Sequence, residues 1–125
     1  MKCLETPLAP KPAGHYSQAV VHGGLVFVAG QLPVDPEKAG FIPEGIEAQT
    51  ERAMKNVAAI LEAAGSGLPR LLSVTVYLSD LSLWGRVNET YARLMGDHRP
   101  ARAVVPTSPL HYGALLEISV IAAAG

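Results

Sequence analysis

Two charges stand inside otherwise apolar segments of the C-terminal third. Arg102 opens Arg102-Ala103-Val104-Val105, and Glu117 interrupts Leu115-Leu116-Glu117-Ile118-Ser119-Val120-Ile121. Both runs are rich in β-branched and apolar residues and read as strands. A charge in such a strand is costly to bury unless something pairs with it. Either the two charges form a structural salt bridge with each other, or they await a ligand. A guanidinium can grip a carboxylate at two points, and a carboxylate can handle a proton. Alternation puts Arg102, Val104 and Pro106 on one side of their strand, and Glu117 with Ser119 on one side of theirs. It leaves open whether those two sides coincide.

Other chemistries lack their residues. The histidines, His15, His22, His98 and His111, have no metal-ligand spacing. Gly23-Gly24 is not followed by the Gly-Lys-Ser or Gly-Lys-Thr of a phosphate loop. A Gly-x-Ser-x-Gly nucleophile elbow is absent.

The elements that must carry Arg102 and Glu117 follow from periodicity. Residues 7–15 hold Pro7, Pro10, Pro12 and Gly14 and read as a looping lead-in. Ser17 to His22 and Leu25 to Ala29 read as strands joined by a hairpin at Gly23-Gly24. Gly30 ends the second strand, and prolines make 31–44 a loop. Ile46, Thr50, Ala53, Met54, Val57, Ile60, Leu61 and Ala64 form one helical stripe, which Gly65 stops. Leu71 to Ser79 alternates, with Leu72, Val74, Val76 and Leu78 on one face and Ser73, Thr75 and Tyr77 on the other. Asp80 is the expected N-cap of a second helix with Leu83, Trp84, Val87, Tyr91 and Leu94 inward and Gly96 as its stop. Trp84 and Tyr91 are expected in the core. The two charged strands close the chain. The order is β-β-α-β-α-β-β, an α+β domain spanning residues 1–125, with two helices on one face of a mixed sheet.

Composition narrows the function. The chain has 125 residues, 49% of them hydrophobic and 17% charged, which suits one domain with a real core. A net charge of −1 without a basic cluster argues against nucleic acid as a partner. No apolar run approaches a membrane span, and the first residues lack a signal-peptide core. The single cysteine, Cys3, sits in the lead-in, where a mobile tail without a reactive role is expected. It forbids an internal disulfide, so a cytoplasmic location is expected. The sheet face away from the helices would carry Ser73, Thr75, Tyr77, Leu115, Glu117, Ser119 and Ile121. That mixture is too apolar for water, which points to a homo-oligomer with facing sheets; the alternative is a solvated face with scattered apolar residues.

Several segments, in order, carry a resemblance: Gly14-His15-Tyr16-Ser17-Gln18-Ala19, Val28-Ala29-Gly30-Gln31-Leu32-Pro33-Val34, Gln49-Thr50, and Asn56 through Gly65. Val76-Tyr77-Leu78-Ser79-Asp80-Leu81, Val87-Asn88-Glu89-Thr90-Tyr91, Arg99-Pro100-Ala101-Arg102 and Leu116-Glu117-Ile118 complete it. From about Ala13 to Ala122 the chain resembles the RidA (YjgF) family of reactive-intermediate deaminases. The resemblance implies a chorismate-mutase-like fold, a homotrimer with sites at subunit clefts, and no metal or organic cofactor. It implies hydrolysis of short-lived 2-enamine and 2-imine acids, such as 2-aminoacrylate, to 2-keto acids and ammonia. By the same resemblance Arg102 holds the substrate carboxylate, and Glu117 orients a water and is available to shuttle a proton. Tyr16 and Asn88 match pocket residues, and Gly30 matches a glycine whose N–H helps hold the ligand. Ala29 and Val104 stand where the family often has Ser and Cys, which bears on substrate preference.

Blander roles stand beside these. Tyr16 would pack on the sheet, Asn88 would be a surface polar residue, and Gly30 would simply end a strand. Two other functions also remain open. One is a non-catalytic protein that binds keto acids or regulates; the other is an endoribonuclease, which the charge disfavours.

Overall fold

The computed structural model describes residues 1–38 and 40–125. The strands are β1 (Lys2–Leu4), β2 (Ala19–His22), β3 (Leu25–Gln31), β4 (Leu71–Leu78), β5 (Ala101–Pro106) and β6 (Leu116–Ala123). The helices are α1 (Ile46–Ala63), between β3 and β4, and α2 (Trp84–Met95), between β4 and β5. One sheet runs in the order β1-β2-β3-β6-β4-β5. Among the described residues, only β4 and β5 pair in parallel, and α2 supplies the crossover such a pair requires. The α+β class, the mixed sheet and the two helices on one face agree with the expectation.

Local chemistry forms these elements. Gly23 and Gly24 adopt φ of 58° and 78°, the left-handed pair that a two-residue hairpin needs to match strand twist. The stripe of α1 turns Ile46, Ala53, Met54, Val57, Ile60 and Leu61 into the core. After α1, the N–H of Ser66 closes back on the Leu61 carbonyl at 2.8 Å, so the helix stops at Gly65 as its position implies. Val74, Val76 and Leu78 of β4, with Leu116, Ile118 and Val120 of β6, form the sheet's side of the core. Two exposed ion pairs, Arg86–Glu47 and Arg93–Glu51, tie α2 to α1.

Several expectations need correction. Residues 2–4 are a strand and not a free tail, since Cys3 pairs opposite Val20 on the sheet edge; its side chain is exposed. The element order therefore gains a strand at its start. Ser17 precedes β2, and β3 continues through Gly30 to Gln31 across a register shift between Val28 and Gln31. A second shift, between Leu71 and Ser73, turns Leu71 inward and Leu72 outward, reversing the expected inward position of Leu72. Asp80 caps a short 3₁₀ turn, Leu81–Leu83, through the N–H of Ser82, and α2 begins only at Trp84. Tyr91 is buried as expected, but Trp84 is 43% exposed.

The face of the sheet away from the helices is open. Phe27, Tyr77, Val105 and Ile121 share it with Glu117 and Ser119 by register. Phe27 stays 41% exposed in the single chain.

Candidate functional site

Register decides where the two charges point. Arg102 sits opposite Val74, whose side chain is in the helix-covered core. Glu117 sits opposite Tyr77, three residues further along the same strand. An odd separation on one strand reverses the face. Arg102 and Glu117 therefore lie on opposite faces of the sheet, and no ion pair joins them within the chain. The salt-bridge reading of this pair is excluded for a single chain.

Each charge has its own cleft. On the helix side, Arg102 leans over two aromatic rings of α2, with its guanidinium carbon 4.9 Å from the Tyr91 centroid and 5.8 Å from that of Trp84. Such cation–π contacts orient the planar fork without occupying its hydrogen-bond donors. Asn88 lies one turn before Tyr91 and lines the same cleft, with His98 and Arg99 at its rim. Among the described residues, no carboxylate pairs with Arg102. Burial pushes the Tyr91 phenol above its usual pKa, and the nearby Arg102 charge opposes that rise. The Tyr91 hydroxyl is buried without a hydrogen-bond partner.

On the open side, Glu117 sits at the base of a cleft of about 500 Å³ with Tyr16 and Gly30 in its walls. Lys11, Leu32, Val34, His111 and Tyr112 line it as well. Gly30 is there because of a close approach. A Cβ at this position would stand 2.9 Å from Cδ and 3.1 Å from Oε2 of Glu117. Only a residue without a side chain lets that carboxylate lie against the β3 backbone. Among the described residues, no cation and no hydrogen bond engages the Glu117 carboxylate.

Buried amides build the walls of this cleft. Gln18, 1% exposed, donates from Nε2 to the carbonyls of Thr6, Ala9 and Pro10 and accepts from the N–H of Thr6 at 2.7 Å. It thereby pins the lead-in that brings Lys11 and Tyr16 to the cleft. Asn56 of α1 donates to the carbonyls of Leu32 and Val34 at 3.1 and 2.9 Å, fixing the opposite wall. Gln49 accepts from the N–H of Leu115 at 2.8 Å, just before β6 carries Glu117 in. Each amide bonds backbone outside the sheet, and Asn56 also accepts at Oδ1 from the Arg52 guanidinium at 2.9 Å.

The structure thus groups Tyr16, Gly30 and Glu117 in one cleft and Arg102 with Asn88 in another. Ala29 and Val104 line neither. Ala29 contributes backbone only, its N–H donating to the Gln18 carbonyl at 2.9 Å. Val104 packs against the core. Lys11, His111 and Tyr112 were not expected at the site, because each sits in an irregular segment without a periodic signal. Among the described residues, no three His, Cys, Asp or Glu side chains converge as a metal site requires. Among the described residues, no helix is long and apolar enough to cross a membrane.

Comparison with known proteins places this geometry. The sequence profile of the family described as Endoribonuclease L-PSP matches residues 6–124. A RutC family protein of Pyrococcus abyssi is 45% identical over 117 residues, covering 94% of this chain and 92% of that one. The 2-iminobutanoate/2-iminopropanoate deaminase of Rattus norvegicus is 36% identical over 124 residues, covering 99% and 90% of the two chains. The crystal structure of E. coli TdcF with bound serine superposes with a TM-score of 0.94 at 35% identity and covers 100% of both chains.

Proposed function

Because the chain belongs to the endoribonuclease L-PSP family, whose members also carry the names RutC, YjgF and RidA, we propose that it hydrolyses 2-imino and 2-enamine acids. The products are 2-keto acids and ammonia. One observation carries the reading. A braced guanidinium and an unpaired carboxylate stand on opposite faces of one sheet, so each is half of a site. A second copy that covers the apolar open face with its own β5 edge brings its Arg102 and Asn88 to the Glu117 cleft. The proposed assembly is a homotrimer with one such site at each subunit boundary. A relative named as an imine deaminase supports the reaction class.

The chemistry asks little more of the chain. The enamine tautomerises to the imine, and Arg102 of one copy holds its carboxylate at two points, which fixes the imine carbon relative to Glu117 of the next. Glu117 orients a water whose oxygen bonds to that carbon while the C=N electron pair moves to nitrogen. A proton passes from the attacking water to the amine, with Glu117 as relay. The hydroxyl of the resulting carbinolamine then gives its proton through Glu117 to the amine nitrogen, the C–N bond breaks, ammonia leaves with the electron pair, and the hydroxyl oxygen becomes the carbonyl. The net charge of −1 gives no electrostatic footprint for RNA, so hydrolysis of a small acid is preferred over the ribonuclease in the family's description.

The test mixes two impaired chains. Arg102→Ala and Glu117→Gln should each lose most of their imine hydrolysis. Co-refolded at equal amounts, they form hybrid sites with intact Arg102 from one chain and intact Glu117 from the other. Random assembly makes about a quarter of the sites intact, one half for each partner. Recovery near a quarter of parental turnover, in a particle about three times the 13.1 kDa chain, supports the shared site. No recovery refutes it. Keto-acid binding by the parent without any turnover would identify the chain as a binding protein.

A further inference from the structure

The Glu117 cleft has a wall that the proposed reaction leaves unused. Tyr112 adopts φ 60° and ψ 20°, and it is the one non-glycine residue with positive φ among those described. The left-handed region strains an L-residue, and such strain persists only where the surroundings enforce it. Here they do. The turn His111–Gly113 is closed by the N–H of Ala114 on the His111 carbonyl at 3.1 Å. The next residue, Leu115, is held on both sides, its N–H by Gln49 and its carbonyl by the N–H and hydroxyl of Ser79. The corner is therefore anchored two residues before Glu117.

A glycine would meet the backbone demand of this corner without strain. The ring adds only surface. It is 64% exposed, lies 5.9 Å from the His111 ring, and lines the cleft that Glu117 occupies. Tyr16, also exposed, lines the same cleft, as do the apolar Leu32 and Val34. Apolar walls with a few placed polar groups describe a site for a ligand with a hydrophobic part. In the single chain the cleft holds about 500 Å³, before a second copy contributes its Arg102 and Asn88.

We propose that Tyr112 is a specificity-determining residue. Its ring is the surface against which the substrate's side chain packs, so the site favours 2-imino acids with aromatic or branched side chains over three-carbon ones. This rests on the imine-hydrolysis reading for the reaction, but not for the binding preference. An aromatic ring against Tyr112 and Tyr16 gains stacking contact that a methyl group does not.

The experiment measures binding and turnover separately. Calorimetry compares phenylpyruvate with pyruvate on the parent, Tyr112→Gly and Tyr112→Phe; initial rates compare the imines of phenylalanine and alanine. Tyr112→Gly removes the ring where glycine suits the backbone, so folding is not at issue. The parent is expected to bind phenylpyruvate about tenfold more tightly than pyruvate, the scale of one aromatic contact. Tyr112→Gly should lose that preference and keep pyruvate binding within about twofold, while Tyr112→Phe keeps the preference. Equal preference in the parent and Tyr112→Gly, or binding of neither keto acid, overturns the inference. Turnover with unchanged preference in Tyr112→Gly sinks the Tyr112 wall and leaves the reaction standing. Loss of preference in a protein that turns over no imine sinks the reaction and leaves the wall standing.

Discussion

Gly30→Ala isolates the position of Glu117 from everything else in the site. The new Cβ would meet Cδ of Glu117 at 2.9 Å. Carbon atoms rest at about 3.5–4.0 Å, so the carboxylate must retreat by about 0.6–1.1 Å. The backbone N–H of residue 30 survives, and so does Arg102. A misplacement of about 1 Å in a reacting group can reduce a rate by about 10²-fold, equivalent to about 2.7 kcal/mol of transition-state stabilisation. Stability responds differently, because the clashing atoms are the end of a flexible side chain. An off-rotamer Glu117 costs about 0.5–1.5 kcal/mol, and replacing glycine by alanine in a strand returns about 0.5–1 kcal/mol. The two nearly cancel, so Tm should move by no more than a few degrees. The assay is kcat/KM for imine hydrolysis beside thermal unfolding, for Gly30→Ala in the parent and in a Glu117→Ala background. In the latter the clash is gone, so Gly30→Ala should leave the residual rate unchanged and raise Tm by the few degrees that about 0.5–1 kcal/mol supplies. A rate within about threefold of the parent would refute the claim that this close approach positions the carboxylate. So would an equal loss in the Glu117→Ala background.

Arg102→Ala should lower kcat/KM by roughly 30-fold to several thousand-fold, the range of a desolvated charge pair losing one partner, and should abolish calorimetric binding of 2-oxobutyrate. Glu117→Gln should lower kcat while keto-acid binding largely survives; retained binding by Arg102→Ala would show that another cation, such as Lys11, holds the carboxylate. Tyr91 carries a pH prediction. Burial raises its pKa in the folded chain above the unfolded value near 10, so the folded state keeps the proton longer and stability falls as pH rises past about 10. Tyr91→Phe should flatten that alkaline decline in Tm measured from about pH 9 to 11, and an unchanged slope would assign the decline to other groups.

The sequence by itself determined the elements whose signal is local. The stripe of α1, the glycines at Gly23-Gly24 and after the helices, and the alternation of Val74, Val76 and Leu78 each report a period or a backbone demand within a few residues. The Arg102 and Glu117 charges stood out for the same reason, as breaks in an apolar period. The three-residue strand Lys2–Leu4 was invisible, because it is held by pairing with Ala19–Val21 across a proline-rich loop and by Leu4 packing on a core assembled from distant segments. The reversal at Leu71 and Leu72 depends on a register shift against β6. The tertiary structure alone decided that Arg102 and Glu117 face opposite ways. Alternation sets parity within a strand, but the relative sides of β5 and β6 follow from how each registers on β4. That register comes from contacts distant in sequence, which is why two half-sites read along the chain as one.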